Sequence, residues 1–578
     1  MSVVLSEHLP LLASAPDGIQ KLRGLILELA VRGKLVPQDL DDEPAGELLK
    51  RIAQERIRQD AATTRRKSKE APTERNNSPQ IDLPSGWECA PLGEVVEIVR
   101  GITFPSSEKS KSPESGRVLC LRTSNVQEKI EWDDVLYIRS EFISRNDQYL
   151  IENDIVMSMA NSRELVGKVA LVDVPLAEQV TFGGFLGVLR PISISPKFLM
   201  AFLRAPTVRS SLIDSASQTT NIANISLGKL RPLEFPIPPL AEQHRIVAKV
   251  DELMALCDRL EAEQADAAGA HARLVDTLLG TLTQSADAAD LAANWQRLAE
   301  HFDTLFTTEA SIDALKQTVL QLAVMGKLVP QNPNDEPASK LLKRIGQERA
   351  RLEAGGTCKK SKSMPPVGED EQPFEVPESW VWERIGNYAV QTDYGLSEKT
   401  LSMTEGVPVL KMGDIQAGKV ILGGQKVVAL ATEGLPYLFL EPGDLLYNRT
   451  NSAELVGKTG IFRGLAQQYS FASYLIRIRC FNELVSPTFL NFVMNSPMFR
   501  ETEIVPHLKQ QCGQANVNGT ILRNMRIPVP PAAEQHRIVA KVEELMALCD
   551  LLKADLVEAR ASQASLADTL IEAALEVA

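Results

Sequence analysis

The sequence predicts an α+β fold made by internal duplication, with two α/β-mixed domains separated by long antiparallel coiled-coil helices and a pseudo-two-fold relation between the halves. Three observations carry this expectation. The segment AEQHRIVAKVDELMALCD at 241–258 returns as AEQHRIVAKVEELMALCD at 533–550, differing only at Asp251 against Glu543. A second pair precedes it in each half: LAVRGKLVPQ at 29–38 against LAVMGKLVPQ at 322–331, and DEPAGELLKRIAQER at 42–56 against DEPASKLLKRIGQER at 335–349. Between these anchors the two halves have diverged, keeping faint landmarks such as NSRELVGK at 161–168 against NSAELVGK at 451–458. The period is far beyond the roughly 20–50 residues of solenoid repeats, so each copy is a domain-sized unit.

In chain order, residues 1–81 read as a helix pair and linker, 82–238 as a first mixed domain, 239–374 as a helical spacer and linker, 375–530 as a second mixed domain, and 531–578 as a closing helix. The linkers, Asp60–Gln80 and Ala354–Gln372, are rich in lysine, proline and small residues, the composition of solvated connectors. The mixed domains carry short β-like runs bounded by turn residues: RVLCLRTSN at 117–125, DIVMSMAN at 154–161, VPVLKMGDI at 407–415 and DLLYNRTN at 444–451.

Each long helix starts after a proline pair, IPPLAEQ at 237–243 and VPPAAEQ at 529–535, with Glu242 or Glu534 in the first turn, where the helix dipole favours an anion. Ile246, Val250, Leu253, Cys257, Leu260 and Gln264 then alternate steps of four and three, and the spacing continues to Leu274 and Leu278. The second copy repeats it with Ile538, Val542, Leu545, Cys549, Leu552, Leu556, Ala559, Leu566 and Leu570. This is a coiled-coil seam, and two seams in one chain invite antiparallel pairing or partner contact.

A chain of 578 residues with 44% hydrophobic and 24% charged residues holds several globular domains. Its net charge of -13 excludes a generally basic surface, so any nucleic-acid contact is local or shared with a more basic partner. The seven cysteines show no CxxC spacing, which argues against zinc, and Cys257 and Cys549 fall at one position of the repeated helix, as small buried hydrophobes do. No basic leader and no apolar run of roughly 20 residues is present, so a cytoplasmic location is expected.

Catalytic signatures are missing. Gly457-Lys458-Thr459 suggests a phosphate loop, but Ser452 stands where that motif needs glycine, and Gly167-Lys168-Val169 lacks the magnesium-binding hydroxyl. No GxGxxG, HExxH, GxSxG or asparagine-proline-proline-aromatic motif occurs. His244 and His536, in the first helical turn, suit a polar cap or a partner contact better than catalysis. The chain reads as a binder without catalytic or metal residues.

The proline-proline step followed by AEQHRIVAKVDELMALCD, repeated after each of two divergent domains and joined by the NSxELVGK segments, resembles the specificity subunit of Type I restriction-modification systems (HsdS) over essentially the whole chain. The resemblance implies a non-catalytic subunit whose two target-recognition domains each read half of a bipartite double-stranded DNA site. The helices would fix the spacer and dock two methyltransferase subunits (HsdM), with restriction subunits (HsdR) in the full complex. S-adenosylmethionine, ATP and magnesium would belong to those partners, which carry the adenine-N6 methyltransferase and endonuclease activities. Ile246, Val250, Leu253, Cys257, Leu260, Ile538, Val542, Leu545, Cys549 and Leu552 then become partner or coiled-coil residues.

Candidate DNA contacts are polar and basic groups near the short loops of the mixed domains. In the first these are Arg100, Arg122, Asn125, Asn161, Arg163, Lys168 and Asn224. In the second they are Lys411, Asp414, Asn448, Arg449, Asn451, Lys458, Gln514 and Asn516. Arginine suits guanine and asparagine suits adenine by paired hydrogen bonds. Both copies keep Asn161 and Asn451, which favours a shared turn or phosphate contact over sequence reading. SRNDQYL at 144–150 and HLKQQCGQ at 507–514 differ between the copies and suit specificity better. Two alternatives stand beside this reading: the recognition subunit of a related system whose partner fuses methylation and cleavage, and a coiled-coil scaffold that binds only protein.

Overall fold

The computed structural model describes residues 11–62, 83–218, 222–356, 358, 360, 362–402, 405–481, 483–511 and 514–577. The chain forms two compact units, 1–267 with 559–578, and 268–558. Both boundaries therefore fall within the long helices, α4 (Leu240–Gln284) and α8 (Ala532–Val577), rather than at their ends. The first linker lies almost wholly outside the described residues.

Unit 1 opens with α1 (Gly18–Val31) and α2 (Ala45–Ala62). The α1 helix ends where Gly33, at φ 70°, takes the left-handed turn, with Lys34 N–H donating to the Leu29 carbonyl at 2.9 Å. A Cβ on Gly33 would lie 2.3 Å from Pro84 Cγ, so only glycine fits this close approach. Gly326, at φ 71°, makes the same turn in unit 2 against Pro377, and this accounts for the repeated GKLVPQ.

The mixed segment of unit 1 folds around a four-stranded antiparallel sheet. Its order is β2 (Val96–Arg100), β9 (Leu186–Pro191), β5 (Ile155–Ser158), β7 (Val169–Leu171). Strands β5 and β9 are buried almost throughout, which explains their unbroken apolar runs. Beside it, β3 (Arg117–Leu121) pairs antiparallel with β4 (Leu136–Arg139) and parallel with β8 (Val180–Phe182). A small antiparallel sheet joins β6 (Ala160–Asn161), β11 (Ala223–Asn224) and β10 (Ser217–Gln218). Finally β1 (Glu88–Pro91) pairs with β12 (Glu234–Ile237), so the segment enters and leaves at one place, directly before α4. Helix α3 (Pro196–Arg204) is started by Ser195, whose hydroxyl accepts from Phe198 N–H, and by Pro196 in its first turn.

Unit 2 repeats this plan after α5 (Glu309–Val324) and α6 (Ala338–Ala354). Its main sheet has six strands in the order β14 (Ala389–Tyr394), β23 (Leu475–Cys480), β19 (Leu445–Asn448), β21 (Thr459–Ile461), β17 (Lys419–Val420), β16 (Ile415–Gln416). The second sheet joins β18 (Val427–Val428), β15 (Val407–Leu410) and β22 (Ser470–Phe471). The small sheet joins β20 (Thr450–Asn451), β25 (Gln514–Asn516) and β24 (Lys509–Gln511), and β13 (Val381–Arg384) pairs with β26 (Arg526–Val529). Helix α7 (Pro487–Met494) is capped by Ser486 as α3 is by Ser195.

The expected seams are real but face inward. Ile246, Val250, Leu253 and Cys257 are buried in the unit 1 core with Leu22 and Leu25 of α1, Phe198 of α3, and Ala567 and Ala574 of α8. Ile538, Val542 and Cys549 are buried in the unit 2 core with Val319 of α5, and Val275, Leu279 and Leu282 of α4. Leu260, Leu545 and Leu552 are partly buried against the same cores. Each core thus holds the opening of one long helix and the closing part of the other. Salt bridges line this packing: Arg23–Glu261 at 2.8 Å and Lys21–Asp568 at 2.6 Å in unit 1, and Lys553–Asp313 at 3.0 Å in unit 2.

Two expectations need correction. The heptad does not run unbroken: Leu274 and Leu566 are 51% and 48% exposed and Ala559 is exposed, whereas the neighbours Val275 and Ala567 are buried. A straight helix of 3.6 residues per turn drifts off a 3.5-residue repeat, and each stretch follows the core it meets. The second linker is not a solvated connector either. Met364 N–H donates to Asn387 Oδ1 at 2.8 Å, Arg384 Nε to the Pro365 carbonyl at 3.0 Å, and Arg384 pairs with Glu371 at 2.7 Å, so this stretch is bonded along the mixed domain. Composition alone did not reveal those backbone partners.

Candidate nucleic-acid interface

The repeated first turn of the long helices is an internal clasp. Glu242 is buried, accepting from Trp87 Nε1 at 3.0 Å and Gln38 Nε2 at 2.8 Å. Gln243 is buried too, accepting from Ser195 N–H at 2.8 Å and donating to the Pro238 carbonyl at 3.0 Å. Arg245 forks onto Asp42 at 2.6 and 3.1 Å. In unit 2, Glu534 meets Trp380 and Gln331, Gln535 meets Ser486 and Pro530, and Arg537 meets Asp335. Burial raises both glutamates above the usual carboxylate range, against the lowering effect of these hydrogen bonds. His244 and His536 are exposed on the opposite side of the turn.

The NSxELVGK segments also do the same work twice. Asn161 Oδ1 accepts from Ser162 N–H at 2.9 Å and Asn451 Oδ1 from Ser452 N–H at 2.8 Å, each starting a tight turn. The turn closes where Gly167 N–H reaches the Ser158 carbonyl and Gly457 N–H the Asn448 carbonyl, both at 2.8 Å. The glycine-lysine pair is therefore a strand connection, not a phosphate cradle. After it, Lys168 Nζ donates to Gln127 Oε1 at 2.7 Å, while Lys458 is exposed and lines an open cleft of about 1090 Å³ with Lys419 and Asp550.

Several of the candidate DNA contacts also carry bonds within the chain. Asn125 is buried, accepting from Arg122 N–H and donating to the Glu131 and Asp133 carbonyls. Asp414 holds the equivalent turn, accepting from Lys411 N–H at 2.7 Å and from Gln425. Asn448 is buried and donates to the Leu455 carbonyl at 3.2 Å. Arg122 is tied to Asp134 at 2.6 Å, and Arg163 pairs with Asp214 at 3.0 Å. Lys411 itself is exposed.

The remaining candidates gather at one place in each unit, around the small sheet and the turn before β9 or β23. In unit 1, Arg100 ends β2, Gly101 N–H donates to the Leu186 carbonyl, and Asn224 sits on β11, with both Arg100 and Asn224 exposed. Met159 N–H donates to the Phe185 carbonyl at 2.9 Å, and the Phe185 side chain is 64% exposed. In unit 2 the matching bond runs from Arg449 N–H to the Tyr474 carbonyl at 3.2 Å, and Tyr474 is 52% exposed. Arg449 lies over the Tyr394 ring at 4.9 Å and donates to Ser473 O and Asn516 Oδ1, which also accepts from Thr450. Gln514 belongs to the adjoining β25 strand.

Matching backbone bonds pair Arg100 with Tyr394, Met159 with Arg449, Phe185 with Tyr474, and Asn224 with Asn516. One backbone frame therefore presents different side chains in the two units. The sequence reading missed Phe185, Tyr394 and Tyr474, since an aromatic beside a strand reads as core unless its exposure is known. SRNDQYL forms a turn in which Gln148 is buried and Arg145 pairs with Asp147 at 3.1 Å; of 507–514, His507 ends a short helical turn, 509–511 form β24, Gln514 opens β25, and Cys512 and Gly513 lie outside the described residues.

Comparisons with known proteins agree with this duplicated plan. The family described as the Type I restriction modification DNA specificity domain matches twice, at residues 84–268 and 385–559. The chain is 36% identical over 575 residues to the Type I restriction enzyme EcoEI specificity subunit of Escherichia coli, covering 96% of this chain and 94% of that protein. It is 36% identical over 578 residues to the EcoAI specificity subunit of the same species, with the same coverages. The StySPI specificity subunit of Salmonella potsdam is 24% identical over 475 residues, covering 82% of this chain and 84% of that protein.

Proposed function

Because this chain belongs to the family of Type I restriction-modification DNA specificity subunits, we propose that each of its two units reads one half of a bipartite duplex site and that it works inside a methyltransferase complex. It is a DNA sequence-specificity subunit with two recognition domains. The observation that carries the finer reading is the contrast between scaffold and surface. Glu242 and Glu534 each accept from one tryptophan and one glutamine in the same way, whereas the exposed frame carries Arg100 and Phe185 in one unit and Tyr394, Arg449 and Tyr474 in the other. Unlike half-sites require unlike groups facing the groove, held by a common frame.

Two methyltransferase subunits would dock on equivalent surfaces of the two units, with restriction subunits added to cut DNA. With Ile246, Val250, Cys257, Ile538, Val542 and Cys549 buried inward, that docking would fall to the outer helix faces, which carry His244, Ala248 and Ala255 in unit 1 and His536, Ala540 and Ala547 in unit 2. S-adenosylmethionine, ATP and magnesium would be bound by the partners, and the chain on its own would be non-catalytic. The partners would also supply phosphate-neutralising charge that an acidic chain lacks. No described helix is long and apolar enough to cross a membrane, and a cytoplasmic site of action fits DNA as ligand.

The test is genome-wide mapping of N6-methyladenine in a host without other such enzymes, expressing this chain with its methyltransferase. Two unlike half-sites around a fixed spacer, lost when this chain is omitted, are expected. If an active methyltransferase yields no such motif with this chain, the reading falls.

A further inference from the structure

We propose that Phe185 and Tyr474 are paired aromatic base contacts, each pressing its ring against the bases of one half-site. This rests on the reading of the chain as a DNA specificity subunit and adds residues that polarity and charge did not suggest. A single exposed aromatic is ordinary on a protein surface. These two differ in three respects.

They occupy one position in two diverged domains. Leu186 N–H closes the turn onto the Gly183 carbonyl at 2.8 Å, and Leu475 N–H closes it onto the Ala472 carbonyl at 2.9 Å. Their backbones are also fixed: the Phe185 carbonyl accepts from Met159 N–H and the Tyr474 carbonyl from Arg449 N–H, so each ring projects from a held strand junction. With the backbone already ordered, binding has only the ring's own two side-chain torsions left to fix. Lastly, hydrogen-bonding and cationic groups flank them. Ser473, adjacent to Tyr474, accepts from the Arg449 guanidinium, which reaches Asn516, and the backbone beside Phe185 is bonded to Gly101, next to Arg100.

An apolar ring among groups suited to base edges and phosphates fits nucleic acid better than an apolar protein surface. In a duplex the base faces are covered by their neighbours, so an aromatic ring reaches the bases by wedging at a base step or by apolar contact with a base edge such as the thymine methyl. The aromatic is retained while its neighbours change, so the ring supplies contact and the neighbours supply the sequence preference.

The experiment uses the complex of the full chain with its methyltransferase and, as probe, a duplex carrying the motif methylated by the wild-type complex. Phe185→Ala and Tyr474→Ala are each expected to weaken binding about 10- to 100-fold, with an unchanged salt slope, and to lower methylation of the motif without changing its bases. Phe185→Tyr and Tyr474→Phe keep the ring and are expected to bind within about threefold of wild type. Leu430→Ala, at an exposed apolar residue elsewhere in unit 2, is expected to change nothing. Alanine variants that bind like wild type, or ring-retaining variants that lose as much as alanine, overturn the proposal while the DNA reading stands. A wild-type complex that methylates no motif overturns the DNA reading and this proposal with it.

Discussion

The indole N–H of Trp87 lies 3.0 Å from Glu242 Oε2, and that of Trp380 lies 3.0 Å from Glu534 Oε2. Each indole also packs edge-on against a phenylalanine, Phe198 or Phe489, at 6.2 Å. The same tryptophan thus joins the entry of a recognition domain, its capped helix and the start of a long helix. Trp87→Phe keeps the ring packing but removes one donor from a buried carboxylate, at a cost of about 1–3 kcal/mol. Chemical denaturation should show a lower midpoint with an unchanged slope.

The same carboxylates set a pH dependence. Burial raises their folded pKa above the unfolded value, so the folded state binds more protons in the window between the two. Their contribution therefore declines as pH rises from about 4.5 through the raised folded value, and stays lost above it. Subtracting the stability-against-pH curve of Glu242→Gln/Glu534→Gln from that of the wild type should leave this falling segment. A flat difference curve would mean the two carboxyls titrate alike in both states.

Gly33→Ala and Gly326→Ala should each destabilise by more than about 2 kcal/mol, because left-handed backbone alone costs an L-residue roughly 1–2 kcal/mol and a prolyl ring fills the space a Cβ needs. Thermal melting of each variant checks this. Gly280→Ala, near the C-terminal end of α4 with open space at its Cβ, should instead hold or gain stability by up to about 1 kcal/mol.

The inward seam predicts a division of labour along the long helix. Ile246→Ala should cost about 2–5 kcal/mol of folding stability, whereas His244→Ala should stay within about 0.5 kcal/mol and act only on methyltransferase association. Calorimetry of the chain and titration with the methyltransferase separate the two effects. If Ile246→Ala left stability intact and weakened only association, the seam would have to face a partner.

Asn161→Ala and Asn451→Ala remove a turn bond, so each should lose about 1 kcal/mol of stability and leave the methylated motif unchanged. A motif that loosens at one half-site without loss of stability would show these asparagines reading bases.

Much of this was legible in the chain itself. The duplication, the order of helix pair, mixed domain and long helix, and the helix starts at Pro238-Pro239 and Pro530-Pro531 all follow from repeated residues and local rules, because capping, turn chemistry and periodicity act over a few positions. The turn role of Asn161 and Asn451 and the failure of the glycine-lysine pair as a phosphate loop were readable for the same reason. Residue type said less about where a candidate side chain sits. Asn125 and Asp414 accept from the backbone of their own turns and Asn448 is buried with its amide on the Leu455 carbonyl; without the matching copy that marks Asn161 and Asn451, residue type does not separate a side chain that pins a turn from one that faces solvent.

By itself, then, the sequence determined two copies of one scaffold with unlike cargo, since near-identical segments in one chain must form near-identical local structure. The tertiary structure alone decided which face each long helix buries, that Glu242 and Gln243 close a clasp on distant Gln38, Trp87 and Ser195, and that Phe185 and Tyr474 stand exposed. Those outcomes depend on which segments far apart in the chain pack together, and burial is a property of the whole packing, not of any residue's own chemistry.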